Sequence, residues 1–171
     1  MPPEPSGGVV PDGVMARIGQ AMELAQQGRR DEARSLFAEL WEEIGPDGDA
    51  LHRVTVAHWM ADVQDDPRDE LAWDQRALEA AESVTDERAG QAGVAGPVAA
   101  FAPSLHLNLG EDHRKLGDVD AARRHLHLGQ AAAHHLGDDG YGRMIRGGLD
   151  ALAARLAVTP GDGGRSSTPA R

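Results

Sequence analysis

The chain has 171 residues and a formal net charge of −11 at neutral pH. Because a net negative charge repels phosphate backbones, general nucleic-acid binding is disfavoured. The absence of cysteine excludes disulfides, thiolate metal sites and cysteine nucleophiles, and it suits a reducing compartment. No stretch approaches the roughly 18 consecutive apolar residues of a membrane span, and the N-terminus shows no secretory signal. We therefore expect a cytoplasmic protein with neither a membrane nor a nucleic-acid partner.

The two ends of the chain differ in composition from its middle. Residues 1–12 contain four prolines, and residues 158–171 are rich in glycine, serine and proline. Neither stretch can hold a helix or a core, so both are predicted to be flexible tails. The remaining segment, residues 13–157, is predicted to form one helical domain.

Apolar residues recur every 3.6 positions in the first part of this domain and predict a helical hairpin. Its first helix starts near Gly13, and Gly28 suits the left-handed stop that ends a helix. Asp31 is predicted to cap the second helix, which continues to Ile44.

The same period predicts two more hairpins and a last helix, and the best strand candidate, residues 94–101, is interrupted by Gly96 and Pro97. We therefore expect an all-α fold of antiparallel hairpins. The predicted helices are 51–64 and 69–83, then 104–116 and 119–136, and finally 141–157.

Internal repetition is the strongest signal in the sequence. Six positions of the first hairpin have counterparts in the third hairpin at identical internal spacing. This correspondence indicates two copies of one packing unit. The second hairpin aligns at Ala57 and Met60, but its second helix must slip by one or two residues to place Ala77 and Leu78. The matched sets are Ala21, Leu24, Gly28, Ala33, Phe37, Leu40 and Gly110, His113, Gly117, Ala122, Leu126, Gly129.

The third hairpin resembles the tetratricopeptide motif. It contains Leu109-Gly110-x-x-His113, Gly117 and Ala122-x-x-x-Leu126, with His113 in place of the consensus aromatic residue. Residues 103–136 are similar to the repeats of small stand-alone bacterial tetratricopeptide proteins. The resemblance covers residues 13–157 and implies a short α-solenoid of about three hairpins with a C-terminal capping helix. An insertion at 84–103 and a degenerate second repeat depart from the family pattern.

The resemblance implies a concave groove, lined by the first helix of each hairpin, that binds a peptide segment or a protein. Asn108 would then hold a ligand backbone, although it could equally be a solvated polar residue. Arg114 and Lys115 would meet an acidic group or form plain solvated surface. The lysine and asparagine set that clamps a chaperone tail is absent. The residues expected in the groove are Ile18, Met22, Gln26, Val54, His58, Asp62, Leu107, Asn108, Glu111, Arg114 and Lys115.

The eight histidines offer little that resembles a metal site. His58 and Asp62 lie four residues apart on one helix and could share a ligand. His106 and His113 are seven apart, about 10 Å along a helix axis, which is too far for one ion to bridge. No HExxH motif, phosphate loop or nucleophile elbow is present. We expect no metal, no cofactor and no enzymatic activity.

Charge is unevenly distributed along the chain. Residues 42–74 contain ten acidic side chains and two basic ones, Arg53 and Arg68. This polarity could orient a partner or a second copy of the chain, or it could be ordinary surface. Residues 92–103 carry no charge, and they are predicted to be buried over the repeats in preference to forming an exposed patch.

Two functions remain open at this point. The favoured one is a non-catalytic adaptor that recognises a peptide segment or a protein through the groove. The alternative is a small-molecule-binding or enzymatic protein that uses His58, Asp62 and Glu111 in a groove closed by the 84–103 insertion.

Overall fold

The computed structural model describes residues 12–94 and 96–158, and these residues contain helices and no strand. The helices pack in adjacent pairs, which is the arrangement of an all-α helical repeat, so the predicted fold class is confirmed. The predicted tails lie outside the described residues except for Asp12 and Val158.

The helix bounds agree with the sequence-based prediction to within a few residues. The α-helices are α1 Gly13–Gln26, α2 Arg30–Ile44, α3 Ala50–Asp62, α4 Pro67–Ala81, α5 Asp86–Gln91, α6 Ala102–Lys115, α7 Val119–Ala132 and α8 Gly140–Val158, and two short 3₁₀ helices span Val98–Phe101 and Ala133–His135.

The chain divides into two compact units with a boundary between Gly93 and Val94. The N-terminal unit comprises the described residues 12–93, and the C-terminal unit comprises 94 and 96–158. The boundary falls inside the predicted insertion, residues 84–103, which contains α5 and the first 3₁₀ helix.

The N-terminal unit contains two hairpins, α1–α2 and α3–α4, and α3 packs against both α1 and α2. Its core is built from fully buried residues of α1, α2 and α3, with Ile18, Phe37 and Val56 at 0 % exposure. All three tryptophans of the chain belong to this unit and pack against the edge of that core. Ile18 was expected to face the groove, and this prediction is wrong because the Ile18 side of α1 is covered by the neighbouring helices.

The turns of the first and third hairpins have the same geometry. Gly28 and Gly117 adopt φ of 77° and 81°, the left-handed region that a glycine enters without strain. In each turn, the amide of the residue after the glycine donates a hydrogen bond to the carbonyl five residues earlier. The two bonds run from Arg29 N to Leu24 O and from Asp118 N to His113 O, and both measure 2.9 Å. These bonds satisfy carbonyls that the helix end would otherwise leave unpaired.

Asp31 does not cap α2, so that prediction is wrong. The helix begins at Arg30 with Arg29 in the cap position, because Arg29 O already accepts the amide of Ala33. Asp31 lies instead in the first turn, where its carboxylate accepts a hydrogen bond from Arg34 at 3.2 Å.

The second hairpin differs from the others by one residue in its loop. Four residues, 63–66, join α3 to α4, whereas three join α1 to α2 and three join α6 to α7. The slip places Asp74 and Ala77 of α4 where the first hairpin has Phe37 and Leu40. Ala77 and Asp74 are both buried, at 0 % and 1 % exposure.

The C-terminal unit contains the α6–α7 hairpin, and α8 packs against both of its helices. Leu152 and Leu156 of α8 pack against buried Ala122 and against Leu107. Leu107 was expected to line a groove, and this prediction is wrong because α8 covers the side of α6 from which it projects.

The uncharged segment 92–103 is only partly buried. Phe101 is half-buried, and it lines an open cleft of about 600 Å³ together with Pro97, Leu136 and the exposed Tyr141. Pro103, at the start of α6, is the part of the segment that enters the core.

Candidate functional site

His58 and Asp62 lie on α3 of the N-terminal unit, one helical turn apart. The helix begins after Asp49, whose carboxylate accepts a hydrogen bond from the amide of His52 at 3.0 Å. The His58 side chain is 32 % exposed, and its Nδ1 lies 3.8 Å from Oδ1 of Asp74 on α4. Asp62 is exposed at the end of the helix.

Asp74 occupies a position that packing alone would not give to a carboxylate. Its counterparts in the first and third hairpins are Phe37 and Leu126, which fill the space between two helices. A carboxylate that is 1 % exposed costs free energy unless it is paired, and an apolar residue of similar size would avoid that cost. Positions that break the local packing rule in this way are those where function is expected to act.

The charge on His58 follows from its neighbours. Burial lowers the pKa of the imidazole, but the interaction with the Asp74 carboxylate and the charge of Asp62 outweigh burial and raise the pKa above its usual value. The protonated imidazole is therefore stabilised, and in that form both ring nitrogens donate hydrogen bonds.

Glu111 of α6 is held between two arginines of the C-terminal unit. Arg114 Nε donates to Glu111 Oε2 at 2.7 Å, and Arg155 of α8 donates to Glu111 Oε1. The Glu111 side chain is 19 % exposed, whereas the arginine side chains are 34 % and 46 % exposed. One carboxylate thus fixes two guanidinium groups at the surface, and the trio carries a net charge of +1.

Asn108 and Lys115 complete the predicted set on α6. Asn108 is partly buried and directly precedes Leu109, which is 1 % exposed. Lys115 Nζ lies 3.6 Å from Oδ1 of Asp112, a carboxylate that is itself 1 % exposed. The structure therefore brings Asn108, Glu111, Arg114 and Lys115 together on one helix.

A column of three histidines in the C-terminal unit was missed from the sequence. His106 Nδ1 and His125 Nδ1 are 3.1 Å apart, and the His113 and His125 rings stack at 5.4 Å with an interplanar angle of 9°. Burial and the charges of His106, His113 and Arg124 lower the pKa of His125 to about 4, and burial lowers that of His106. The hairpin alignment contains the signal, since His113 and His125 replace Leu24 and Leu36 of the first hairpin.

A polar network in the N-terminal unit was also missed. Arg88 of α5 donates to Asp49 at 2.5 Å and to Asp12 at 3.0 Å, and His52 Nε2 lies 2.7 Å from the same Asp12 oxygen. Asp12 and Asp49 are the N-caps of α1 and α3. Arg88 thereby ties α5 to the starts of two other helices, over sequence distances that no local pattern reveals.

Within 12–94 and 96–158, no three or more histidine, aspartate or glutamate side chains are grouped to hold a metal ion. Among the helices that the structure describes, none is both long and apolar enough to cross a bilayer.

Comparison with known proteins returns no relative. No family model, no curated protein and no solved structure matches the chain.

Proposed function

We propose that the chain is a non-catalytic binding module of the tetratricopeptide type, which recognises a peptide segment or a protein through the first helices of its hairpins. The adjacent helix pairs and the shared turns at Gly28 and Gly117 support the family. The cysteine-free composition supports the proposed cytoplasmic location.

The buried Asp74 behind the partly exposed His58 is the observation that carries the proposal. A carboxylate at a packing position polarises one edge of the imidazole, and the ring keeps about a third of its surface accessible. In its protonated form, an imidazole held in this way donates a hydrogen bond of fixed direction from its other nitrogen to a carbonyl or carboxylate of a ligand. A hairpin selected for packing alone would place a leucine or phenylalanine behind it.

The arginine pair on the C-terminal unit supports the same type of ligand. Glu111 fixes Arg114 and Arg155, so less side-chain entropy is lost when their remaining donors meet an acceptor. A peptide supplies carbonyl acceptors along its whole length, and Asn108 both accepts and donates.

One observation favours the enzymatic alternative. A histidine backed by a buried carboxylate is also the pair that general acid–base catalysis uses, with His58 as the acid because its pKa is raised. Glu111 suits the role of a base poorly, since two guanidinium groups stabilise its ionised form.

The experiment begins with capture of a partner from the native cell and its identification by mass spectrometry. Calorimetry then compares the wild type with two variants, His58→Gln and the pair Asn108→Ala with Arg114→Ala. Each lost hydrogen bond leaves a ligand group unpaired at a cost of about 1–3 kcal/mol, so affinity should fall at least fivefold.

The matched control is Arg123→Ala with His127→Ala, two exposed residues of α7, the second helix of its hairpin. This control should leave affinity unchanged, and any fall in its melting temperature would report the loss of the long hydrogen bond from Arg123 to Leu156 O, which measures 3.4 Å. Loss of binding in the control, with retention in the α6 pair, would show that the ligand contacts the second helices and that the proposed face is wrong.

A further inference from the structure

Two tryptophans of the N-terminal unit are stacked with two arginines. Trp41 of α2 and Trp73 of α4 meet edge to face, with ring centroids 5.2 Å apart. Arg53 lies 4.9 Å from the Trp41 centroid, and Arg76 lies 4.2 Å from the Trp73 centroid. Both rings are only partly buried, so their faces attract cations at the surface.

The net charge of the chain is concentrated in this unit. Residues 12–93 contain nineteen acidic and eight basic side chains, a net charge of −11, whereas residues 94–158 contain seven of each. Beside Arg53, a cleft of about 440 Å³ is lined by Asp47, Glu79 and Ser83. Arg53 belongs to both features, since it covers the Trp41 ring and also lines this cleft, and Glu79 follows Arg76 by three residues on α4.

The two arginines are held very differently. Arg53 donates to the carbonyls of Gly45 and Pro46 in addition to covering Trp41. Arg76 is exposed on α4, and at such exposed sites a cation–π contact is weak. A guanidinium from outside that also reaches a carboxylate would displace Arg76 and leave Arg53 in place.

We propose that Trp73, with Trp41 and the carboxylates Asp47 and Glu79, forms a docking surface for an arginine-bearing segment of a partner protein. The two tryptophans and Glu79 lie on the second helices, α2 and α4, and Asp47 lies in the loop after α2, so none of these residues belongs to the first-helix face proposed above. Arginine is preferred to lysine because its planar guanidinium both stacks on an indole and pairs with a carboxylate. Arg76 covers the Trp73 face until the partner arginine replaces it.

The test uses the full chain and a synthetic peptide of glycine and serine with spaced arginines, measured by calorimetry against its lysine counterpart. Trp73→Leu should weaken binding of the arginine peptide about 2- to 5-fold, which is the affinity equivalent of about 0.5–1 kcal/mol. Arg76→Gln should strengthen binding because it removes the competitor. Arg68→Gln is the matched control, since it removes one exposed positive charge from the same helix without uncovering a ring.

Two results support the proposal even if Trp73→Leu fails to fold. Affinity for the arginine peptide should rise more in Arg76→Gln than in Arg68→Gln, and the wild type should bind the lysine peptide more weakly than the arginine peptide. Equal gains for the two arginine variants would overturn it, because binding would then follow net charge alone. Concentration-dependent dimerisation that disappears in Arg76→Gln would also overturn it, since a second copy would then occupy the surface.

Discussion

Asp74 carries the sharpest prediction at the scale of single residues. Replacing a buried ion pair by apolar residues of similar volume is often neutral or stabilising, by up to about 4 kcal/mol. We expect Asp74→Leu to keep or raise the free energy of unfolding in urea, because the His58 that is left behind is about a third exposed and can be hydrated. His58→Leu should lower it by about 1–3 kcal/mol, because Asp74 stays buried with one fewer partner.

The double variant, His58→Leu with Asp74→Leu, is the control for this pair. It should be more stable than His58→Leu alone, since the buried charge has gone with its partner. Asp74→Leu could instead lower the free energy of unfolding as much as a core truncation does, with no recovery in the double variant. That result would show that the Asp74 carboxylate contributes to the packing and contradict the prediction.

His125 makes the C-terminal unit sensitive to acid. Its pKa falls from the usual 6.5 to about 4 in the folded chain, so the unfolded chain binds more protons between these values. The stabilisation is therefore present above pH 6.5 and is lost as the pH falls towards 4. We expect a loss of about 1–2 kcal/mol between pH 7 and pH 5, after allowance for partial exposure of the ring.

Thermal unfolding at the two pH values tests this expectation, with His125→Gln and His127→Gln as a matched pair. His127 is exposed on the same helix, so its replacement should leave the pH dependence intact. His125→Gln should flatten it. An unchanged slope in His125→Gln would mean that another group accounts for the acid sensitivity.

At the scale of elements, α8 packs closely against two glycines of the hairpin that it covers, Gly110 and Gly129. A methyl group at Gly129 would come within 2.8 Å of Leu149 Cδ2 on α8 and 3.4 Å of Pro103 O. We expect Gly129→Ala to lower the free energy of unfolding by about 1 kcal/mol, because overpacking exceeds the gain in helix propensity.

Gly147 provides the comparison within α8 itself. Apart from the adjoining backbone of α8, no atom lies within 4 Å of the methyl group that alanine would add there, so Gly147→Ala should raise stability by up to about 1 kcal/mol. Equal effects of the two substitutions, measured by denaturant unfolding, would show that α8 does not press against α7 at Gly129.

Features that depend on neighbours in sequence could be predicted, and features that depend on register between helices could not. The stops at Gly28 and Gly117 follow from the left-handed conformation that glycine enters without strain. The pairing of His106 with His125 and of His58 with Asp74 depends on loop length, since one extra residue after α3 decides which side chain of α4 faces inward. The burial of Leu107 could not be predicted because it depends on where α8 packs.

The candidate site was predicted in the same partial way. The spacing of His58 and Asp62 placed both on one face of α3, as i and i+4 residues must be. The partner of His58 on α4 and the arginine of α8 that holds Glu111 are distant in sequence, so nothing local indicated them.

At the scale of the whole molecule, the two units should respond to pH in opposite directions. The raised pKa of His58 gives stability that is complete below pH 6.5 and is lost as the pH rises through the folded value. His106 and His125 give stability that is lost as the pH falls below 6.5. When the pH is lowered from 8 to 5, protection of the backbone amides from hydrogen exchange should rise in α3 and fall in α6 and α7. Parallel changes in the two units would contradict this expectation.

The placement of the aromatic side chains lets each unit be followed in the intact chain. Trp41, Trp59 and Trp73 all lie in the N-terminal unit, and Tyr141, the only tyrosine, lies in the C-terminal unit. Tryptophan emission therefore reports unfolding of the N-terminal unit alone, whereas far-ultraviolet circular dichroism reports both. Coincident curves indicate one cooperative transition, and separated curves give a stability for each unit without a label or a truncation.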